Sequence, residues 1–260
     1  MLVTIGSSIR DCTIRHAAPA QPMNARRRIT AATKEATVVT TSLRNLAYER
    51  FSQQILAGRL RPGQFLSQRE LVSALGMPLG AVREMIPRLE AGRLIVTVPK
   101  RGLQIAHVDL KLIRNAFQLR SMIEREAVQC FLRYVGDEEL DAIERAHKAI
   151  LQRAKSGKPD PRLDEDALAV DWGLHDRMVD AMGNEILSEI YRVNSLHVRM
   201  IRLDATQVRP RRVVPAMEEH LKFIALMKAR DEARAVRAME EHVENSRQRV
   251  LASILDRNAA

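Results

Sequence analysis

Only two cysteines, Cys12 and Cys130, occur in 260 residues. They are too few for a disulfide framework, and no cysteine-based zinc motif is readable. Aromatic residues are equally sparse at 3%, against an apolar share of 46% that is ordinary for a globular protein. No apolar run approaches the roughly 18 residues needed to cross a membrane. The N-terminal stretch meets Arg10, Asp11 and Arg15 too early for the core of a signal peptide. These absences make an intracellular, cytoplasmic chain without membrane contact the expectation.

The length accommodates two domains and a tail, and the charge shows how they divide. Residues 1–41 hold six Lys and Arg against two Asp and Glu, residues 42–106 hold ten against four, and residues 107–260 hold twenty-six of each. The net charge of +10 therefore lies entirely in the first 106 residues. Such asymmetry suits a phosphate-binding surface, where neutralised phosphates release counterions. Residues 1–40, with Arg26-Arg27-Arg28 and no sustained periodicity, are expected to form a disordered basic tail.

Residues 41–106 carry the pattern of a winged helix-turn-helix. Ser42 is a plausible N-cap for a helix through Ala57, with Leu43, Leu46, Ala47, Phe51 and Ile55 on one face and Gly58 after it. Ser67-Gln68-Arg69-Glu70 has capping-box spacing for a second helix that Gly76 stops. A third follows from Pro78 to Gly92, with Val82, Ile86 and Leu89 on one face. Runs Leu94–Val98 and Leu103–Ile105 flank the basic turn Pro99-Lys100-Arg101-Gly102, a hairpin signal. In this architecture the last helix enters the major groove and its first turns reach base edges. Gly80 and Arg83 are the candidate contacts there, joined by Arg69 in the first turn of the second helix and by Lys100, Arg101 and Gly102 at the wing. Arg88 has Glu84 at i,i+4 as an available partner.

These residues resemble the GntR family of bacterial transcription regulators. The likeness rests on Ile55 through Gly63, Leu66, Arg69-Glu70-Leu71, Val82-Arg83-Glu84, Leu89 and Gly102. It implies DNA contact at Arg69, Arg83 and the wing around Arg101 and Gly102. Where the family usually reads Ser-Arg-Thr before Val-Arg-Glu, this chain has Pro78-Leu79-Gly80-Ala81. An arginine and a hydroxyl are thus missing from the reading face. Pro87, two turns into the recognition helix, is expected to kink or tighten it after Arg83.

Beyond residue 107 the chain reads as amphipathic helices at 109–134, 137–155, 163–182, 184–205, 211–229 and 232–256, broken at Gly136, Gly157, Gly183, Pro210 and Asp231. Short connections imply an antiparallel all-α bundle of about six helices over 107–257. Asp171 and His175, four apart, project from one helix face. His220 and His242 each follow a Glu-Glu pair on later helices. An Asp and three His suit a divalent ion such as zinc, nickel, manganese or iron(II), with room for water or a substrate oxygen. His16, His107, His147 and His197 lack such companions and are expected to be structural.

The pattern Asp171-x3-His175, then His220, Ile224, Asp231, Ala235, Met239 and His242, together with Gly183-Asn184, resembles the FCD effector domain of FadR-type GntR regulators. That resemblance implies a metal held by Asp171, His175, His220 and His242 beside an effector pocket. It also implies that Arg120 faces an organic-acid effector, although an i,i+4 pair with Glu124 accounts for the same spacing. Arg199, with Arg202, is a further candidate for a cationic wall. The combined expectation is a dimeric, ligand-responsive regulator, more often a repressor in such a family, sensing a small carboxylate. Two alternatives stand beside it: a metal-dependent enzyme using the Asp/His group, and a DNA-binding protein without a ligand. The altered Pro78-Leu79-Gly80 entry predicts an operator unlike the family's usual half-site. In vitro selection from random duplexes checks this, and recovery of the usual half-site would refute it.

Overall fold

A computed structural model describes residues 42–205 and 213–259. The expected basic tail and the expected start of a helix at residue 211 lie outside the described residues. Helix α1 spans Leu43–Leu56 and is capped as the sequence suggests, Ser42 accepting from the Asn45 amide. Helix α2, Gln68–Leu75, opens with a reciprocal capping box: Glu70 N–H donates to the Ser67 hydroxyl at 3.2 Å, and Ser67 N–H donates to Glu70 Oε2 at 2.6 Å. Gly76 takes the left-handed conformation that ends it. Arg50 of α1 then donates to the Leu75 and Gly76 carbonyls, 2.9 Å each, and satisfies acceptors the helix end leaves over.

Helix α3 runs Leu79–Ala91 and stays α-helical through Pro87. The anticipated tightening after Arg83 is absent. Pro87 is exposed, so the carbonyl deprived of its donor can turn to water, and a helix bears a proline best on that side. Three short strands complete the unit: β1 (Phe65–Leu66), β2 (Ile95–Val98) and β3 (Gly102–Ile105), in the order β1-β3-β2, all antiparallel. The sequence pattern shows the hairpin but not β1, whose two residues are too short for any periodicity. Gly102 sits at φ +91°, and a Cβ there would lie 2.9 Å from the Leu66 carbonyl oxygen. Its glycine is thus explained by the close passage of β1 across the hairpin, in addition to any role at the wing tip.

Residues 110–259 form α4 (Leu110–Tyr134), α5 (Asp137–Lys155), α6 (Leu163–Asp180), α7 (Glu185–Ala205), α8 (Val213–Lys228) and α9 (Glu232–Ala259). Helix α4 packs on α6, α7 and α9, while α5 packs on α6 and α8. Their apolar faces meet in a core that includes Phe117, Val128, Trp172, Met178, Phe223, Ile224 and Met239.

Helix α7 belongs to two cores at once. Its Tyr191, Val198 and Ile201 lie in the bundle core. Its Leu196 and Met200 lie in the core of α1, α2, α3 and the sheet, beside Phe51, Leu71, Val82 and Leu89. Polar contacts follow the same division. Asn194 donates to the Ala116 carbonyl of α4 at 3.0 Å, and His197 Nε2 lies 2.8 Å from the Gly92 carbonyl at the end of α3. The expected Arg88–Glu84 pair is not formed. Arg88 instead reaches Glu189 of α7 at 3.2 Å and stacks 4.1 Å from the Tyr48 ring centroid of α1, because the packed neighbours offer both a carboxylate and a π face.

Two glycine substitutions separate strain from ordinary helix propensity. Gly102→Ala is expected to destabilise by about 1–3 kcal/mol, since it forces a Cβ into a left-handed position. Gly80 lies on α3, where an added methyl would meet nothing within 4 Å. Its replacement by Ala is expected to gain up to about 1 kcal/mol. Thermal unfolding of the two variants checks the opposite signs.

Candidate metal centre and nucleic-acid interface

The six candidate DNA-contacting residues divide between the start of α2, the start of α3 and the wing. Arg69, Gly80, Arg83, Lys100 and Arg101 are exposed, and Gly102 is half-buried. Arg83 donates from Nε to Gln68 Oε1 at 3.0 Å, which ties α3 to the first turn of α2. At the wing, Lys100 adopts a left-handed φ of 64°. The Arg101 guanidinium stacks 3.8 Å from the Phe65 ring centroid of β1. The unforeseen strand β1 therefore supports the wing's arginine from below.

The second site lies inside the bundle. Helix α6 contributes Asp171 and His175, α8 contributes His220 and α9 contributes His242. All four are buried, and one ligand atom of each lies within 4.8 Å of the others. Asp171 Oδ1 lies 3.1 Å from His220 Nε2 and 3.7 Å from His175 Nε2. His220 Nε2 lies 3.3 Å from His242 Nε2.

The far nitrogens of the rings decide what these near nitrogens can be. His242 Nδ1 is 2.8 Å from Glu219 Oε2, a carboxylate that Arg249 grips with two nitrogens at 2.6 and 3.0 Å. His175 Nδ1 is 3.0 Å from Glu124 Oε2. A carboxylate only accepts, so His242 Nδ1 carries the proton and its Nε2 presents a lone pair. His175 Nε2 accepts from Arg120 Nη2 at 2.9 Å, which in the neutral ring leaves its proton on Nδ1. His220 Nδ1 lies 3.0 Å from His147 Nε2 on α5. The Nε2 lone pairs of His220 and His242 thus converge beside Asp171 Oδ1, which has no hydrogen-bond donor, while that of His175 is met by Arg120. Converging acceptors repel unless a cation lies among them, and the donor set fits a divalent metal.

The electrostatics agree. Burial pushes the Asp171 carboxyl up, but the Arg202 guanidinium 2.9 Å from Oδ2 and the neighbouring histidines overcome this and hold it well below the usual carboxylate range. Burial and the His242 ring keep His220 well below its ordinary value. Burial chiefly holds His242 down to about 4. His175 differs, because Glu124 overrides the burial effect and raises it.

A polar wall adjoins this centre. Arg120 is 1% exposed and Glu124 0%. Their side chains meet at 2.6 Å, and the Tyr191 hydroxyl donates to the same Glu124 oxygen at 2.6 Å. Arg120 also donates from Nη2 to His175 Nε2 at 2.9 Å. Arg120 thus forms the i,i+4 pair with Glu124 that its spacing allows and also contacts His175, a candidate metal ligand. Arg199 lies 4.4 Å over the Trp172 ring and 3.7 Å from Asp176. Arg120 Nη1, Trp172 Nε1 and Arg199 Nε are buried donors without an acceptor.

Sequence reasoning misses Tyr191, Glu219 and His147. Glu219 is visible in the sequence only as the neighbour of His220, whereas its partner is His242 on another helix. No spacing rule reveals such a pairing. His147, expected to be structural, stands directly behind a metal-ligand candidate. His197, under the same expectation, is structural, holding α7 to the end of α3.

A winged helix-turn-helix joined to a helical bundle with a buried Asp/His centre defines a two-part, DNA-binding regulatory protein. The chain belongs to the GntR family of bacterial regulators and carries its FCD domain: residues 43–105 match "Bacterial regulatory proteins, gntR family" and residues 115–245 match "FCD domain". The HTH-type transcriptional repressor GlaR of Escherichia coli is 24% identical over 200 residues, covering 75% of this chain and 90% of that protein. The HTH-type transcriptional regulator BphR of Paraburkholderia xenovorans is 27% identical over 207 residues, covering 79% and 84%. Among solved structures, E. coli McbR/YncC shares the fold at a TM-score of 0.66 and 20% identity, covering 85% of this chain and all (100%) of that one. These relationships mark a transcriptional regulator rather than an enzyme. No helix among the described residues is long and apolar enough to cross a membrane.

The Arg120–Glu124 pair generates a stability test. Arg120→Ala strands a buried carboxylate and is expected to cost about 3–5 kcal/mol. Arg120→Met combined with Glu124→Leu removes both charges and is expected to recover a large part of that loss. Chemical denaturation of the single and double variants measures the difference.

Proposed function

We propose that residues 107–257 sense a small carboxylate at a divalent metal and that residues 41–106 respond by changing their hold on an operator. One observation carries this: His220 and His242, each anchored at Nδ1, bring their Nε2 atoms to 3.3 Å from one another beside the unpartnered Asp171 Oδ1, with His175 one turn from Asp171 on α6. Asp171, His175, His220 and His242 are the ligands, and zinc, nickel or manganese suits the donor set. The metal would supply a Lewis-acid coordination position to an incoming carboxylate oxygen. Arg120 Nη1, Arg199 Nε and Trp172 Nε1 are the buried donors available to the rest of such an anion.

At the other end, Arg69, Gly80, Arg83, Lys100, Arg101 and Gly102 form the operator contacts. Arg83 and Arg101 are already oriented, by Gln68 and Phe65, so less side-chain entropy is lost on binding. A homodimer would present two such readers to a pseudo-palindromic site. Repression relieved by effector is the favoured mode, in keeping with the name of the E. coli relative, and the cytoplasm is the expected compartment. Helix α7 links the two ends, since Arg199 and Arg202 face the sensing site while Leu196 and Met200 complete the reader's core.

The effector acts only through its difference in affinity for the DNA-competent and released arrangements. With zinc, nickel or manganese loaded, a panel of sugar acids and other small carboxylates is expected to contain a member that weakens operator binding about 5–150-fold. His220→Ala is expected to lose both metal and response while keeping operator binding. Unchanged DNA affinity across the whole panel sinks the sensing role for those ligands. Turnover of a substrate that disappears in His220→Ala would instead favour metal-dependent catalysis.

A further inference from the structure

We infer that His147 of α5 is a positioning residue for the metal centre, setting the tautomer of His220 so that its Nε2 lone pair faces the ion. This rests on the metal assignment above. His147 is 1% exposed, and its two ring nitrogens have different partners. Nδ1 lies 2.8 Å from the Ile143 carbonyl one turn earlier on α5. A carbonyl oxygen only accepts, so Nδ1 carries the proton, and in the neutral ring Nε2 is left as an acceptor.

That acceptor lies 3.0 Å from His220 Nδ1. His220 therefore donates from Nδ1, and its own lone pair is confined to Nε2, the atom 3.1 Å from Asp171 Oδ1. The chain of donation runs from His220 to His147 to the backbone of α5 and ends on a group that cannot reverse it. The ring planes meet at 44° with centroids 5.1 Å apart, so this is an edge contact rather than a stack.

The other two histidine ligands are anchored differently. His175 and His242 are backed by the carboxylates of Glu124 and Glu219. Each adds negative charge behind its ring and raises its basicity. His220 has a neutral imidazole instead. His147 thus fixes direction without adding charge to a centre that already holds Asp171 and two backing carboxylates. It also makes α5, which supplies no ligand, part of the metal site.

The test uses the full chain, labelled with nitrogen-15 at histidine, and zinc as the probe. In the metal-free wild type, long-range proton–nitrogen correlation spectra are expected to show His220 protonated at Nδ1, with its signals assigned by their loss in His220→Asn. His147→Leu is expected to release that tautomer and weaken zinc binding about 10–100-fold, the usual effect of removing a residue that orients a ligand. His147→Gln offers an accepting Oε1 in place of Nε2 and is expected to restore both the tautomer and most of the affinity. Operator binding without metal and thermal unfolding show whether each variant is folded. His220 protonated at Nε2 in the wild type overturns the inference. So does a folded His147→Leu protein that binds zinc as the wild type does, or a folded His147→Gln protein with no recovery. A wild type that binds no divalent ion overturns the metal assignment itself. That failure appears in the wild-type titration alone, whereas failure of the His147 role appears in the spectra and variants.

Discussion

Charge buried without water is the condition that the bundle has to satisfy. Asp171, Glu124 and Arg120 are 4%, 0% and 1% exposed, and an isolated ion at such a depth is far less stable than the same ion in solvent. Each is therefore held by counter-charges and hydrogen bonds drawn from other helices: Glu124 by Arg120 and Tyr191, Asp171 by Arg202, and His242 by Glu219. Helices α4, α6, α7, α8 and α9 all contribute, so their mutual placement is constrained by polar geometry as well as by apolar packing. Asp171 Oδ1 is among the buried acceptors left without a donor, and the Nε2 atoms of His220 and His175 lie 3.1 and 3.7 Å from it.

The same network extends into helix α7. Tyr191, Arg199 and Arg202 are spaced along α7 and contact or border the buried centre, while Leu196 and Met200 lie on the side of that helix that fills the reader's core. Close-packed cores do not deform continuously; they repack between discrete arrangements. A rigid helix shared by two cores is therefore a direct physical route between them. The His197–Gly92 and Arg88–Glu189 contacts add polar ties from α7 to α3.

At the reading end, the sheet does more than close the fold. Strand β1 brings Phe65 beneath Arg101, and its Leu66 carbonyl passes so near Gly102 that only a glycine fits there without displacement. One short strand thus explains both a wing glycine and the posture of a wing arginine. Pro87, which would be costly in a buried turn of α3, is accommodated at the exposed side while Val82, Met85, Ile86 and Leu89 keep the inner face apolar.

Much of the architecture was legible in the chain itself. Apolar periodicity, the Ser67/Glu70 capping box, and the glycines and prolines at helix ends are local signals, and they placed the three reader helices, the hairpin and the six bundle helices to within a few residues. The charge division and the Asp171-x3-His175 spacing are equally local, the second because residues four apart on a helix share a face. What only tertiary structure decided is which of these faces meet. Glu219 backs His242 across two helices, His147 stands behind His220 from α5, Arg88 turns from Glu84 to Glu189, and α7 is divided between two cores. None of these pairs has a sequence separation that any helical period produces. They follow from long-range packing, in which the contact a side chain makes depends on the element brought against it rather than on its own neighbours in the chain.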